Sequence, residues 1–210
     1  IKQLGTAAAE RIPAIFCKCE VCENAKKVGG KEVRTQTQAL INDDLLIDFG
    51  GDSYLHYLRD DIPYADIGDL LVTHWHSDHF YGEDLAYRMH GYGNDFEKLM
   101  KVYGTETVSE FYQRAFGLEQ MRDPSRLQYE VVKAGDKFTV ADGKYTVYAF
   151  DARHGHHYGD CIIYGITDGD SSVLYMHDTA FPSEETWQQI ADTGLKYDYV
   201  TMDCTSGATD

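Results

Sequence analysis

The chain has 210 residues, with 19 Lys and Arg against 35 Asp and Glu, so its formal charge is −16. Its length suits one domain with a real hydrophobic core, and 43% hydrophobic with 26% charged residues indicates a globular rather than a disordered protein. The acidity argues against general binding to nucleic acid or to an anionic membrane. No apolar run reaches the roughly 18–20 residues that cross a bilayer, and no signal peptide is visible. We therefore expect a cytoplasmic protein.

The predicted elements are mostly strands, with helices interspersed. Alternating apolar residues over 35–41, a turn at Asn42 and the apolar run 45–47 predict a hairpin. The apolar run 70–72 predicts a short buried strand. Residues 82–126 are predicted to be mainly helical, apart from a strand at 101–104 that precedes a helix capped by Thr105.

The second half continues with strands that are separated by turn residues. Ser183 is predicted to cap a helix that contains Trp187 and Ile190. The predicted strands are 129–133, 137–140, 145–150, 161–167, 173–176 and 199–202. Many antiparallel strands with interspersed helices predict an α+β sandwich, in which helices cover sheets, formed by a single domain over residues 1–210.

The densest chemical signal is the pattern H-x-H-x-D-H directly after the strand 70–72. His74 and His76 are two residues apart, so on an extended segment both imidazoles face the same side and can chelate one ion. Asp78 and His79 lie where the chain turns toward the next helix and can reach a second ion. Imidazole and carboxylate ligands suit zinc, manganese or iron.

A two-ion site needs ligands from elsewhere in the chain. His154 comes first after the strand 145–150, and Asp178 ends the strand 173–176, where a carboxylate can bridge two ions. His156 and His157 follow in the same loop, and the exposed-loop interpretation is favoured for them over ligation. The other histidines are assigned structural or surface roles: His177 in packing beside Asp178, and His56 and His90 without visible partners.

A second cluster is C-x-C-x₂-C, formed by Cys17, Cys19 and Cys22. An odd total of five cysteines and the absence of a signal peptide argue against a disulfide framework. Three close thiolates can hold a structural zinc, but the fourth ligand is not evident, and ordinary reduced cysteines are the alternative. Cys161 and Cys204 fall in strand patterns and are predicted to be small buried hydrophobes.

These motifs resemble those of the metallo-β-lactamase superfamily. H-x-H-x-D-H is its hallmark, and residues 46–50 resemble the strand and Asp-x-Gly turn that precede the metal loop there. More narrowly, Gly5-Thr6 followed by the cysteine cluster, with 175–179 and 202–205, resembles the PhnP-like branch, whose type member cleaves phosphoribosyl cyclic phosphate. The resemblance implies an αββα four-layer sandwich with the metals at one edge between the sheets.

The resemblance also implies a ligand set. His74, His76 and His154 would bind one ion, Asp78 and His79 the other, and Asp178 would bridge them; Cys17, Cys19 and Cys22 would hold a structural zinc. In the family a last metal-binding His, a His that completes the cysteine site and a general-acid His lie further toward the C-terminus. No His follows His177 here, so the resemblance implies a chain that lacks its C-terminal part, or sites that are each one ligand short.

The preferred hypothesis is a dinuclear, zinc- or manganese-dependent phosphodiesterase that acts on a small or cyclic phosphodiester through a metal-bridging hydroxide. Asp78 would steer the nucleophile, and His156 or His157 are weak candidates for the general acid. The alternatives are an acyl hydrolase for thioesters, lactones or amides on the same ions, and a non-catalytic metal-binding or interaction domain. Two bound ions would allow a small anionic substrate despite the acidity, whereas neither general nucleic-acid nor membrane binding is expected; a homodimer is left open.

Overall fold

Two β-sheets pack face to face in the computed structural model, which describes residues 1–118, 120, 122–155 and 158–203. The first sheet has six strands in the order β1-β2-β3-β4-β5-β6, and the second has five in the order β11-β10-β9-β8-β7. The strands of the first sheet are β1 Lys2–Gly5, β2 Gln38–Ile41, β3 Leu45–Ile47, β4 Asp69–Leu71, β5 Met100–Gly104 and β6 Leu127–Val131. Those of the second are β7 Lys137–Val140, β8 Tyr145–Asp151, β9 Ile162–Thr167, β10 Ser172–Met176 and β11 Tyr199–Met202.

Five α-helices surround the sheets in the described part of the chain. They are α1 Glu20–Val28, α2 Ser53–Asp60, α3 Gly82–Leu85, α4 Glu106–Leu118 and α5 Glu184–Asp192, with 3₁₀ turns at Gly30–Glu32 and Ala86–Arg88. Ser183 caps α5 as predicted, because its hydroxyl accepts the amide proton of Thr186. None of the described helices has the length and apolar character needed to cross a membrane.

Successive apolar side chains along the strands of the first sheet point to opposite faces and so contribute to different layers of the core. Ile47 and Leu71 join residues of the second sheet, such as Val147 and Tyr164, in the cluster between the sheets. Leu46 and Leu70, their neighbours in sequence, point to the opposite face and belong to the cluster that contains residues of α3 and α4. Phe150 and Leu174 of the second sheet are in the same cluster as Ile190 of α5. The arrangement is the expected αββα sandwich.

Among the neighbouring strands of the two sheets, five pairs are antiparallel, as expected, and four are parallel. β3, β4, β5 and β6 are parallel to one another, and β11 is parallel to β10. The predicted strand 129–133 begins two residues earlier, as β6, and pairs with β5. Parallel pairing brings the C-terminal ends of β3 and β4 to one edge of the sandwich, where the metal loop begins.

The prediction of a mainly helical segment over 82–126 is wrong. Among the described residues of this segment, helix is confined to Gly82–Arg88 and Glu106–Leu118, and residues 89–99 adopt an irregular path before β5. Phe96 in this path lies between the guanidinium groups of Arg88 and Arg126, each 4.6 Å from its ring centroid. Arg88 also donates hydrogen bonds to the carbonyls of Tyr64 and Lys98. These contacts replace helical hydrogen bonds in fixing the segment.

Candidate metal centre

The loop that follows β4 carries the H-x-H-x-D-H residues, and hydrogen bonds to the turn after β3 hold it in place. Phe49 N donates to the carbonyl of His79 at 2.7 Å, and Gly51 N donates to that of Ser77 at 3.1 Å. Gly50 lies between these contacts, where an added Cβ would be 1.9 Å from the carbonyl oxygen of Asp78. Only glycine allows the two segments to approach this closely, so the Asp-x-Gly turn and the metal loop form one unit.

The first group of ligand-type atoms comprises His74, His76, His154 and Asp178. Nδ1 of His76 lies 3.0 Å from Nε2 of His74 and 3.1 Å from Nε2 of His154. Oδ2 of Asp178 lies 3.6 Å from Nε2 of His74 and 3.5 Å from Nε2 of His154. Four such atoms within 4.8 Å of one another have the spacing of a metal-ligand set.

The second group comprises Asp78, His79 and Asp178. Nε2 of His79 lies 3.2 Å from Oδ2 of Asp178 and 3.4 Å from Oδ2 of Asp78. This nitrogen is buried and makes no hydrogen bond to any described residue. A buried polar atom without a partner is rare in native proteins, and a metal ion would satisfy it. Asp178 belongs to both groups, so a single carboxylate lies between the two candidate ion positions.

A buried carboxylate behind the loop orients two of these histidines. Asp48 is fully buried, and its Oδ2 lies 2.8 Å from Nδ1 of His79. Its Oδ1 accepts hydrogen bonds from both the amide and the hydroxyl of Thr73, and that hydroxyl lies 3.0 Å from Nδ1 of His74. With Nδ1 of each imidazole acting as the donor, Nε2 is left with its lone pair directed at the candidate ions. The resemblance of residues 46–50 to the family motif predicts only a turn at Asp48 and not this contact with His79.

The pKa shifts of His74, His79 and Asp178 suit residues that bind a metal ion rather than residues that carry an isolated charge. Burial lowers the pKa of His74 well below its ordinary value, and the nearby imidazoles lower it further. Burial opposes a charge on His79 as well, but Asp48 and the adjoining carboxylates outweigh it and raise the pKa of His79 well above the ordinary range. Burial opposes ionisation of Asp178, yet His79 keeps the pKa of that carboxyl lowered. A proton on His79 therefore competes with a divalent ion for the same position.

These residues fit two divalent ions. The donor atoms are imidazole nitrogens and carboxylate oxygens, which suit zinc and manganese, and a divalent ion would replace the proton of His79 at its unpartnered Nε2. A cavity of about 560 Å³ opens beside both groups, and His76, Asp78 and Asp178 contribute to its wall. The cavity has the size of a site for a small molecule.

The histidines assigned structural roles lie outside both groups. His177 is buried between the hydroxyls of Thr37 and Thr201, each 2.6 Å from a ring nitrogen. His56 is buried in a hydrogen-bond network, and His90 is an exposed side chain 3.5 Å from Asp123. The candidates His156 and His157, together with Cys204, lie outside the described residues. Cys161 is buried, as predicted.

The three cysteines of the N-terminal cluster converge at the start of α1. Cys19 is the residue before the helix, Cys22 is buried in its first turn, and the sulfur atoms of Cys17, Cys19 and Cys22 lie within 4.8 Å of one another. The nearby backbone amide of Cys22 lowers the pKa of Cys19, which favours the thiolate that a metal requires, whereas the pKa of Cys22 is raised by its burial and by the two neighbouring thiols. The group contains no fourth ligand from the described part of the chain.

Comparison with known proteins agrees with this geometry. The sequence model of a protein family, the β-lactamase superfamily domain, matches residues 47–205. These residues include the Asp-x-Gly turn, the metal loop, His154 and Asp178. The chain belongs to this superfamily. A ribonuclease Z from Thermosynechococcus vestitus is 30% identical over 125 residues, which cover 60% of this chain and 29% of that protein. The chain therefore spans less than a third of that relative.

Solved structures of three other proteins show the same fold at low sequence identity. Zn²⁺-bound PqqB from Methylobacterium extorquens superposes with a TM-score of 0.72 and 17% identity, over 96% of this chain and 69% of that one. A diphosphatase of the PhnP family gives 0.67 and 18%, over 89% and 67%. Human tRNase Z, short form, gives 0.65 and 15%, over 95% and 75%. This chain is shorter than each of these neighbours, and the likeness to them shows the fold.

Proposed function

We propose that the protein is a phosphodiesterase that uses two divalent ions, zinc or manganese, to hydrolyse a small phosphodiester. The observation that carries the proposal is the position of Asp178 Oδ2, which lies within 3.6 Å of ligand nitrogens of both groups. A carboxylate that belongs to both groups would be a ligand of both ions, and two-metal sites hold their ions roughly 3.5–4 Å apart.

Different residues of the chain would bind the two ions, orient the attacking water and fix the tautomer of a ligand. His74, His76 and His154 would hold one ion, Asp78 and His79 the other, and Asp178 both. Bound there, the ions would supply a nucleophile from water at neutral pH and neutralise charge on the phosphoryl oxygens. Asp78 also lines the cavity, where its carboxylate can accept a hydrogen bond from the attacking water and orient it. Asp48 would keep His79 in the tautomer that binds metal.

Phosphodiester chemistry is favoured over acyl chemistry by the relatives and by the cysteine cluster. The similar proteins include one named ribonuclease Z and one named as a diphosphatase of the PhnP family. The cluster of Cys17, Cys19 and Cys22 is the feature that resembles the PhnP-like branch, and we propose that it holds a structural zinc. The fold and the ligand set do not by themselves separate the two chemistries.

A substrate panel tests the proposal. Protein loaded with zinc or manganese is assayed with bis(p-nitrophenyl) phosphate, whose leaving group needs no general acid, beside a thioester and a lactone. We expect turnover of the phosphodiester, its loss in Asp178→Asn, and its retention in His90→Asn, which changes an exposed histidine outside the centre. Acyl turnover without phosphodiester turnover would replace the proposal with the acyl hydrolase, and fewer than one ion per chain would leave a non-catalytic domain.

A further inference from the structure

The cavity beside the candidate metal centre is bordered by acidic groups and, among the described residues, by no lysine or arginine. Apart from the proposed ligands, its charged wall residues are Glu10 and Asp203. The backbone amide of Asp178 donates to Oδ1 of Asp203 at 3.0 Å, so this second carboxylate adjoins the shared ligand. We call Glu10 and Asp203 the acidic rim.

Two arginines adjoin wall residues of this cavity in the sequence, Arg11 beside Glu10 and Arg153 beside His154, and both form hydrogen bonds outside the cavity. Nε of Arg11 donates to both carboxylate oxygens of Asp52, at 2.8 and 3.0 Å, and Asp52 is buried. Arg153 donates through Nη1 to the carbonyl of Phe181 and lines the adjoining cavity on the other side of His154. That cavity also contains Asp151 and Asp160, so its charged wall groups are acidic in balance as well.

The loop that carries Glu10 is fixed over the centre. Arg11 has a left-handed φ of 66°, an uncommon conformation for a residue with a side chain, and the hydrogen bonds that its Nε shares between the two carboxylate oxygens of Asp52 secure it. The carbonyl of Ala9, on the other side of Glu10, accepts hydrogen bonds from Nη1 of Arg11 and Nε2 of Gln36. Glu10 is thus held at the cavity by anchored neighbours on both sides.

The charge balance limits what the cavity attracts. Two divalent ions would contribute about +4, of which Asp78 and Asp178 would offset two units and the acidic rim two more. A substrate with one negative charge, placed between the ions, meets local attraction. Each further phosphate extends past the ions toward the acidic rim, where the described wall of the cavity includes no lysine or arginine, so the interaction there is repulsive.

We propose that the acidic rim restricts the site to small phosphodiesters with a single negative charge, and that Glu10 is the specificity-determining residue that excludes polyanions such as RNA. This inference rests on the proposed function, and it separates this chain from relatives named as ribonucleases.

The test compares two substrates that release the same p-nitrophenol. One is bis(p-nitrophenyl) phosphate, and the other is a tetrauridylate ending in a 3′-p-nitrophenyl ester, which carries additional phosphates. In Glu10→Lys we expect kcat/KM for the tetrauridylate, relative to that for the small diester, to rise about 3- to 10-fold. Glu10→Gln, which keeps the size of the side chain, should give a smaller rise in the same direction and serves if Glu10→Lys is poorly folded.

The matched control is Glu97→Lys, which changes the net charge equally. Glu97 is exposed and precedes β5, so it lies at the N-terminal end of the parallel strands, opposite the edge where the metal loop follows β4. We expect its substrate ratio to stay within about twofold of the wild-type ratio. An equal effect of Glu97→Lys and Glu10→Lys, or a parallel change for both substrates in Glu10→Lys, would overturn the assignment of Glu10.

A binding measurement separates this inference from the proposed function. Fluorescence anisotropy with a labelled hexauridylate reports the Kd without turnover, and metal analysis should show equal ion content in all variants. If the wild-type protein hydrolyses neither ester, the phosphodiesterase proposal fails, while a lower Kd in Glu10→Lys alone would still support the role of the acidic rim. An unchanged Kd in that variant would contradict it.

Discussion

Asp178 combines a ligand position with an uncommon backbone conformation. Its φ is 52°, in the left-handed region that Asp and Asn tolerate better than other residues with side chains. Asp48, the carboxylate behind His79, also has a left-handed φ, of 63°. Such conformations persist at functional sites because the surrounding contacts fix them. Substitution at either position should therefore keep the backbone preference, which makes Asn the informative replacement.

Asp178→Asn is expected to abolish binding of both ions while the fold survives. The amide keeps the left-handed preference and removes the carboxylate charge that both groups of ligands share. Metal content after dialysis should fall below one ion per double site, and the melting temperature of the metal-free protein should change little. Retention of two ions in this variant would contradict the bridging role.

Asp48→Asn should weaken metal binding about 10- to 100-fold without removing a ligand. An amide at this position can no longer stabilise the orientation of both Thr73 and His79, and it lets Nδ1 of His79 become the acceptor, which turns a proton toward the ion. Competition with a chromophoric chelator measures the affinity. Affinity equal to wild type would show that the tautomer of His79 is set by other contacts.

His56 is expected to make the stability fall as the solution becomes acidic. Burial lowers its pKa from 6.5 to about 4, and the nearby Arg59 acts in the same direction. Between these values the unfolded chain binds a proton that the folded chain does not, so stability is full above pH 6.5 and declines toward pH 4, by about 3 kcal/mol. Urea denaturation of metal-free protein at pH 7 and pH 4.5 should show a smaller loss in His56→Gln, and an equal loss in both proteins would contradict this.

The sequence reveals those site residues that are contiguous or lie at strand ends. His74, His76, Asp78 and His79 lie within six successive positions, and the structure brings them together with His154 and Asp178. Asp48 is different, because its role depends on a contact with a histidine 31 positions away that no local pattern encodes. The acidic rim residue Glu10 likewise reaches the cavity only through the tertiary anchoring of Arg11.

At the scale of elements, alternation predicts strands but not their partners. β8 and β10 lie within one residue of their predicted bounds, because each is a mainly apolar stretch that begins soon after a turn dipeptide, Asp142-Gly143 or Asp168-Gly169. Whether neighbours run parallel depends on crossover connections, which alternation does not specify. Helix α2 went unpredicted: Tyr54, Leu55 and Leu58 are exposed, so its apolar residues do not mark a buried face.

Cys19→Ser is expected to lower stability rather than turnover. Cys19 lies at the N-terminal boundary of α1, remote in sequence from the metal loop, and its thiolate would join Cys17 and Cys22 in holding a zinc that ties the N-terminal segment to the helix. The melting temperature should fall, and zinc content should fall by one ion, while kcat of the remaining folded protein is retained. Loss of turnover at an unchanged melting temperature would contradict the structural role.

At the scale of the whole molecule, the charge of −16 opposes the approach of any anion, whereas the ions of the centre attract it. The two effects differ in range. The screening length is about 30 Å at 0.01 M ionic strength and about 8 Å at 0.15 M. Added salt therefore screens the distributed negative charge before it weakens contacts at the centre, where substrate and ions are adjacent.

We consequently expect kcat/KM for bis(p-nitrophenyl) phosphate to rise, by about 2- to 5-fold, between roughly 0.01 and 0.15 M ionic strength. The change should appear in KM rather than in kcat, because screening alters the encounter and not the reaction between bound groups. Potassium chloride and potassium glutamate should act alike at equal ionic strength, which separates screening from binding of chloride to the ions. A fall in kcat/KM with salt would show instead that attraction by the metal centre extends beyond the acidic surface and governs the approach of the substrate.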